Sequence, residues 1–185
     1  HCTMEFKKQG DLVVLIGENT DETGGSIYLK ETLNIVGGPA PRLNLDKEQS
    51  VQSCCLKAIE LGLVHSAHDV SDGGLAVALA ECCMSGNLGF DGEIDTHLRP
   101  DVLLFGEGQS RIILSLPKEN LSALDELAKE TNAKVCVLGV VKGDNINIQV
   151  KHQGYVVGKI DVALDKIAEI SNNAIKRRVE NGRQV

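Results

Sequence analysis

The stretch His68-Asp69-Val70-Ser71-Asp72-Gly73-Gly74 lies between two apolar runs, Leu61 to Ala67 before it and Leu75 to Ala80 after it. This pattern predicts a strand, a tight glycine turn and a helix. Such a junction directs backbone N–H groups and the positive end of the helix dipole toward one point, which suits an anion such as phosphate. Because alternate side chains of an extended segment share a face, we expect Asp69 and Ser71 to point the same way. A carboxylate and a hydroxyl beside a phosphate can hold Mg²⁺, which prefers oxygen ligands.

The same turn has a simpler interpretation, in which it only starts a buried helix. Ser71 and Asp72 are both good N-cap residues, and Gly73 and Gly74 could serve only to close the turn. A glycine pattern by itself does not distinguish the two interpretations.

The composition of the chain indicates a globular domain with an aliphatic core. Its 185 residues are 42% hydrophobic and 24% charged, with 3% aromatic residues and no Trp. The net charge of −7 argues against a nucleic-acid partner, and so does the scarcity of rings for base stacking. No apolar run approaches the roughly 20 residues of a membrane span. Two vicinal pairs among the six cysteines do not form a disulfide framework, so we expect reduced thiols in a cytoplasmic protein.

Apolar periodicity predicts a mixed order of helices and strands and therefore an α+β fold in layers. The predicted strands are Asp11–Gly17, Leu63–Val70, Phe90–Ile94, Ile112–Leu116, Val135–Val141, Ile146–Val150 and Tyr155–Ile160. The predicted helices are Ile27–Leu33, one capped by Asp46 and stopped by Gly62, Gly73–Met84, Pro117–Glu130 and Val162–Val179. The turn Lys142 to Asn145 predicts that the strands on either side of it form a hairpin. Lys176, Arg177 and Arg178 fall in the last turns of the final helix, where cations suit the dipole.

A second polar cluster runs from Gly106 to Arg111. In an extended conformation Glu107, Gln109 and Arg111 would share a face with one another, and Ser110 lies between them. The Arg111 guanidinium offers a fork of donors for phosphate or carboxylate, although an exposed strand edge with a charge pair is an alternative.

Two other kinds of site are disfavoured. His65 and His68 would face opposite sides of a strand and cannot easily share a zinc ion. The side chains of a Ser71–His68–Asp69 triad would diverge along an extended chain.

Two of these segments resemble one family. The strings HDVSDGGLAVALAE at His68–Glu81 and LLFGEGQSR at Leu103–Arg111 are similar to signatures of phosphoribosylformylglycinamidine synthase. The resemblance extends from about Asp11 to about Val179 and includes Gly24-Gly25-Ser26. It implies a three-layer α/β/α domain around a mixed sheet, like the C-terminal domain of aminoimidazole ribonucleotide (AIR) synthetase. Because His1 is not preceded by an initiator Met, we expect residues 1–185 to be one such domain of a longer multidomain chain.

The resemblance also implies a function. The family enzyme is a ligase of purine biosynthesis that converts formylglycinamide ribonucleotide to the amidine, using ATP and ammonia from a glutaminase subunit or domain. Its motif implies that Asp69 binds Mg²⁺ and that Ser71 contacts a phosphate of ATP or ADP. Asp72, Gly73 and Gly74 join this site on the physical argument alone. The match of Glu107, Gln109, Ser110 and Arg111 implies a position near the substrate.

The resemblance implies that this chain supplies no catalytic residue of its own and is inactive without its neighbouring domains. Two alternatives remain. One is a purely structural packing domain of the same enzyme. The other is a domain of another ATP-using enzyme of the superfamily, similar to thiamine-monophosphate kinase or selenophosphate synthetase.

Overall fold

The computed structural model describes residues 1–174 together with Lys176 and Val179, and within them one sheet of seven strands is covered by helices on both faces. The strands are β1 Leu12–Gly17, β2 Ser66–Asp69, β3 Phe90–Asp95, β4 Arg111–Leu116, β5 Val135–Val141, β6 Asn145–His152 and β7 Tyr155–Ala163. The helices are α1 Ile27–Leu33, α2 Leu45–Glu60, α3 Gly74–Gly86, α4 Pro100–Phe105, α5 Leu121–Thr131 and α6 Leu164–Asn172.

The sheet separates two apolar cores. Helices α2 and α5 pack on one face, while α3, α4 and α6 pack on the other. In β1, Val13 and Leu15 face the core of α3, and Val14 and Ile16 face the core of α2. A strand buried on both faces must be apolar at every position, which is why the sequence of β1 is a continuous apolar run. The predicted α+β fold with three layers is therefore confirmed.

The strand order β2-β4-β1-β5-β3-β6-β7 makes the sheet mixed. Every neighbouring pair is antiparallel except β3 and β6, which run parallel. The predicted hairpin of β5 and β6 is wrong, because β3 lies between them and pairs with both. Gly92 of β3 pairs with Gly139 of β5, and a Cβ on Gly139 would lie 2.5 Å from Gly92 Cα, so the insertion depends on two residues without side chains.

Several predicted boundaries also change. Asn44, not Asp46, caps α2, and its Oδ1 accepts a hydrogen bond from the Lys47 N–H at 3.0 Å. Strand β2 has only four residues, and β7 extends to Ala163, so that α6 begins at Leu164 rather than Val162. The predicted roles of Arg177 and Arg178 lie outside the described residues.

The sheet brings three chain segments to one edge. Gly17 at the end of β1 is opposite Arg111 at the start of β4, and Asp69 at the end of β2 is opposite Ile112. The loops that follow β1 and β2, and the loop that precedes β4, must therefore meet beside one another.

Candidate functional site

The loops at this edge enclose a cleft of about 350 Å³. It is lined by residues of four segments, namely Gly24, Gly25, Gly38, Ala40, Pro41, Ser71, Asp72, Glu107 and Gln109. Three of these segments are among those that carry the sequence resemblance: the Gly24-Gly25-Ser26 turn, the His68–Gly74 turn and the Gly106–Arg111 loop. They are far apart in the chain, and the fold brings them together.

The turn between β2 and α3 has the predicted strand–glycine–helix form. Gly73 and Gly74 have φ values of 80° and 74°, a backbone region that favours glycine. At Gly74 there is also no room for a side chain, because a Cβ would lie 2.6 Å from the Gly106 carbonyl oxygen. The two glycines therefore fix the path of the chain and place it against the 106–111 loop.

Ser71 and Asp72 do not cap this helix. Gly73 occupies the N-cap position of α3, no side chain makes a capping hydrogen bond there, and both polar side chains are exposed. The simpler interpretation of the turn, in which Ser71 or Asp72 caps α3, is wrong in that respect. Both residues line the cleft instead, whereas Asp69 lies just outside it at the end of β2, with its side chain 72% exposed.

The Gly106–Arg111 loop is not extended, because Ser110 has a φ of 60°. The expectation that Glu107, Gln109 and Arg111 share a face is therefore wrong for Arg111, which is 4% exposed, whereas Glu107 and Gln109 both line the cleft. The Ser110 hydroxyl donates to Glu48 Oε2 at 2.5 Å, a contact with α2 that the sequence did not predict.

The guanidinium of Arg111 is used inside the protein. Its Nε donates to the Gly108 carbonyl at 2.9 Å, its Nη2 to the Gly106 carbonyl at 2.6 Å and its Nη1 to Asn19 Oδ1 at 3.0 Å. Burial lowers the pKa of Arg111 to about 10, although the nearby carboxylates of Glu107 and Glu22 act in the opposite direction. The residue remains charged at neutral pH and holds the loop by its carbonyl groups, an arrangement that suits a planar fork of donors.

Glu107 joins the two glycine-rich turns. Its Oε1 accepts hydrogen bonds from the backbone N–H of Ile27 at 2.9 Å and of Gly73 at 2.8 Å. Ile27 follows the Gly24-Gly25-Ser26 turn, in which the buried Ser26 caps α1 and donates to the Thr23 carbonyl at 2.6 Å. One carboxylate oxygen thus connects the two glycine-rich turns, both of which contribute residues to the cleft.

The residues fit a magnesium ion only as part of a ligand set. Asp69 supplies one exposed carboxylate and Ser71 one exposed hydroxyl. In the part of the chain that the structure describes, no group of three His, Cys, Asp or Glu residues could hold a metal. Mg²⁺ commonly keeps several waters and takes one or two carboxylates together with substrate phosphates. The carboxylate of Asp69 and the hydroxyl of Ser71 are therefore a chemically reasonable part of its ligand set.

The two histidines near the turn have separate partners. His65 Nδ1 lies 2.6 Å from Oδ2 of the buried Asp11, and His68 Nε2 lies 2.8 Å from Oε2 of Glu81 on α3. His68 Nδ1 also lies 3.8 Å from Oδ1 of Asp69, so the two imidazoles do not share a carboxylate and His68 is near two of them.

A second cavity, of about 640 Å³, adjoins the cleft at Gln109, which lines both. Glu18 at the end of β1 accepts hydrogen bonds from Lys134 and, at 2.6 Å, from Lys47 at the start of α2. These two bonds hold the pKa of Glu18 below its usual value. No local pattern in the sequence indicates this network, because its three members are separated by long stretches of chain.

Comparison with known proteins identifies the family. The family model described as "AIR synthase related protein, C-terminal domain" matches residues 8–151. The chain belongs to this family. It is 38% identical over 179 residues to the phosphoribosylformylglycinamidine synthase subunit PurL of Caldanaerobacter subterraneus. The aligned segment covers 97% of this chain and 24% of that protein. This member of the AIR synthase related family thus spans about a quarter of the length of the relatives it matches.

Solved structures show the same fold. Thermotoga maritima PurL complexed with FGAR aligns with a TM-score of 0.72 at 20% identity, covering 90% of this chain and 29% of that one. The same protein complexed with ATP gives 0.66 at 22% identity, covering 90% and 27%. The hydrogenase maturation protein HypE gives 0.53 at 16% identity, covering 88% and 55%. In the described residues of this AIR synthase related domain, no helix has the length and apolar character needed to span a bilayer.

Proposed function

We propose that this chain is the C-terminal domain of a phosphoribosylformylglycinamidine synthase and contributes one corner of a Mg²⁺–nucleotide site. The observation that carries the proposal is the convergence of three segments on one cleft. The turn at Gly24-Gly25, the turn at Ser71–Gly74 and the loop at Glu107 are among the segments that resemble the synthase, and only the fold makes them neighbours.

The reaction would be a ligation. ATP phosphorylates the amide oxygen of formylglycinamide ribonucleotide, and ammonia from a glutaminase subunit or domain then displaces that phosphate. The products are the amidine, ADP and inorganic phosphate. We place this reaction of purine biosynthesis in the cytoplasm. The substrates, the glutaminase and the preceding domains of the same enzyme are the proposed partners.

The residues of this chain would bind and orient the nucleotide. Asp69 would provide a carboxylate to Mg²⁺, and Ser71 a hydroxyl to a phosphate of ATP or ADP. Asp72 and the backbone of Gly73 and Gly74 would complete this side of the site. Bound Mg²⁺ would neutralise phosphate charge, which phosphoryl transfer requires. Since transfer also requires positioning from all sides, the chain alone would be inactive.

The test uses the intact protein that contains this chain. We expect Asp69→Ala to reduce the stoichiometry or affinity of MgADP in a calorimetric titration, and we expect no amidine formation from the isolated 185 residues. Glu119→Gln, an exposed change on the turn before α5, is the control. Full activity of the isolated chain would contradict the proposal that it contributes only one corner of the nucleotide site.

A purely structural domain is the second candidate. It is favoured by the inward use of Arg111 and Glu107, whose hydrogen bonds are satisfied within the chain. In that case MgADP binding by the intact protein would be the same with Asp69 and with Ala at that position.

A further inference from the structure

We propose that Glu107 is a positioning residue, which sets the distance between the two glycine-rich turns so that Ser71 and Asp72 face Gly24 and Gly25 across the cleft. The inference rests on the proposed function, because it gives Glu107 a role in the same nucleotide site. It differs from a position near the substrate, since Glu107 would act through the backbone of other residues.

The contacts of Glu107 carry the first step. A single oxygen, Oε1, accepts the N–H of Ile27 at 2.9 Å and the N–H of Gly73 at 2.8 Å. Ile27 directly follows the Gly24-Gly25-Ser26 turn, and Gly73 lies in the turn that carries Ser71 and Asp72, so this oxygen bonds one residue at each glycine-rich turn. Gly73 is the N-cap residue of α3, so the Glu107 carboxylate connects the start of that helix to the 106–111 loop.

The backbone of Glu107 is itself held on both sides. Arg111 donates to the carbonyl groups of Gly106 and Gly108, the two residues that flank Glu107. Close approaches limit movement further, because a Cβ on Gly108 would lie 2.2 Å from Thr20 Oγ1 and one on Gly106 would lie 2.9 Å from the Glu22 carbonyl oxygen. A carboxylate on a rigid loop can fix the two turns, whereas one on a mobile loop would only follow them.

Three substitutions separate positioning from direct binding. Glu107→Gln keeps an acceptor oxygen at the same reach, Glu107→Asp keeps the charge but is one methylene shorter, and Glu107→Ala removes both. If Glu107 positions the turns, Gln should substitute for it and Asp should not. If it binds metal or substrate, the charge is needed and Gln should fail. Glu107→Gln also removes a carboxylate charge that raises the pKa of the buried Arg111 and so favours its charged form. We therefore expect some loss of stability in that variant.

The experiment measures two quantities in the intact protein, namely MgADP affinity by calorimetry and deuterium uptake in peptides that cover residues 24–29 and 70–76. We expect Glu107→Ala and Glu107→Asp to weaken MgADP binding at least tenfold and to increase uptake in both peptides. Glu107→Gln should stay within threefold of the wild type, with both peptides protected. Glu119→Gln is again the control.

Two results would overturn the inference. In the first, Glu107→Gln loses affinity as severely as Glu107→Ala while both peptides stay protected, which would show that the carboxylate contacts the ligand. In the second, all three variants bind MgADP as the wild type does. An Asp69→Ala arm then separates the two proposals: if that variant binds weakly, only the role of Glu107 fails, and if it also binds normally, the nucleotide site fails with it.

Discussion

The Asp69–Gly74 turn and the Gly106–Arg111 loop are both short, polar and rich in glycine, and they touch each other, yet they use their polar groups in opposite ways. In the turn, Asp69, Ser71 and Asp72 are exposed and cap nothing. In the loop, Arg111 is buried and Glu107 is bonded to the backbone at both glycine-rich turns. Polar groups that are satisfied internally stabilise a structure, and exposed groups beside a cleft are available to a ligand.

The largest loss of stability should come from a substitution at the contact between the turn and the loop. Gly74→Ala would place a Cβ 2.6 Å from the Gly106 carbonyl oxygen and 2.8 Å from the Phe105 carbonyl carbon, at a φ of 74°. We expect a loss of about 3 kcal/mol or more in the free energy of unfolding, measured by urea denaturation.

Gly62→Ala is the matched control for that change. Gly62 also has a positive φ, of 65°, but a Cβ there would have no atom within 4 Å. It should cost only about 1–2 kcal/mol from backbone strain. Equal losses at the two positions would show that the close approach of the turn to the loop contributes nothing.

The second effect concerns the loop alone. Arg111→Lys keeps the charge but cannot reach three separate acceptors with a planar fork, so we expect a loss of about 2–3 kcal/mol in the free energy of unfolding. Arg99→Lys is the control, because the exposed guanidinium of Arg99 pairs with Asp101, a surface pair worth about 0–1 kcal/mol. Similar losses would contradict the internal role of Arg111.

The third effect concerns the ligand rather than stability. Asp69→Ala should weaken MgADP binding to the intact protein about tenfold, which corresponds to about 1.4 kcal/mol. The urea midpoint should not change, because the side chain is 72% exposed. A lowered midpoint with unchanged binding would reverse the distinction between the two regions.

The smallest effect tests whether the turn caps its helix. Ser71→Ala and Asp72→Ala should each change the free energy of unfolding by less than about 0.5 kcal/mol, as for surface positions without a special role. Asn44→Ala, which removes a true cap from α2, should cost about 1 kcal/mol. A loss of that size at Asp72 would restore the simpler interpretation of the turn.

Local features of the chain were predictable from the sequence. The glycine turn before α3 and the buried strand β1 follow from short runs whose pattern admits few alternatives. The layered fold follows from the order of those runs. Each of these depends on residues that are close together in the chain.

The remaining features depend on distant partners. The β5–β6 hairpin was expected because a turn joins the two strands, but β3 supplies a better partner for both. The inward direction of Arg111 depends on the positive φ of Ser110, which is uncommon for a residue other than glycine. The two bonds of Glu107 join segments that nothing in the spacing of residues relates.

The central place of β1 in the sheet has a consequence for synthesis on the ribosome. Leu12 is paired with Leu116 on one side and with Val140 on the other. The most apolar strand of the protein therefore leaves the exit tunnel long before either neighbour exists, and its hydrophobic side chains stay uncovered while the intervening residues are added. Such distant pairing slows folding, so this domain should be a good substrate for a chaperone that binds nascent chains.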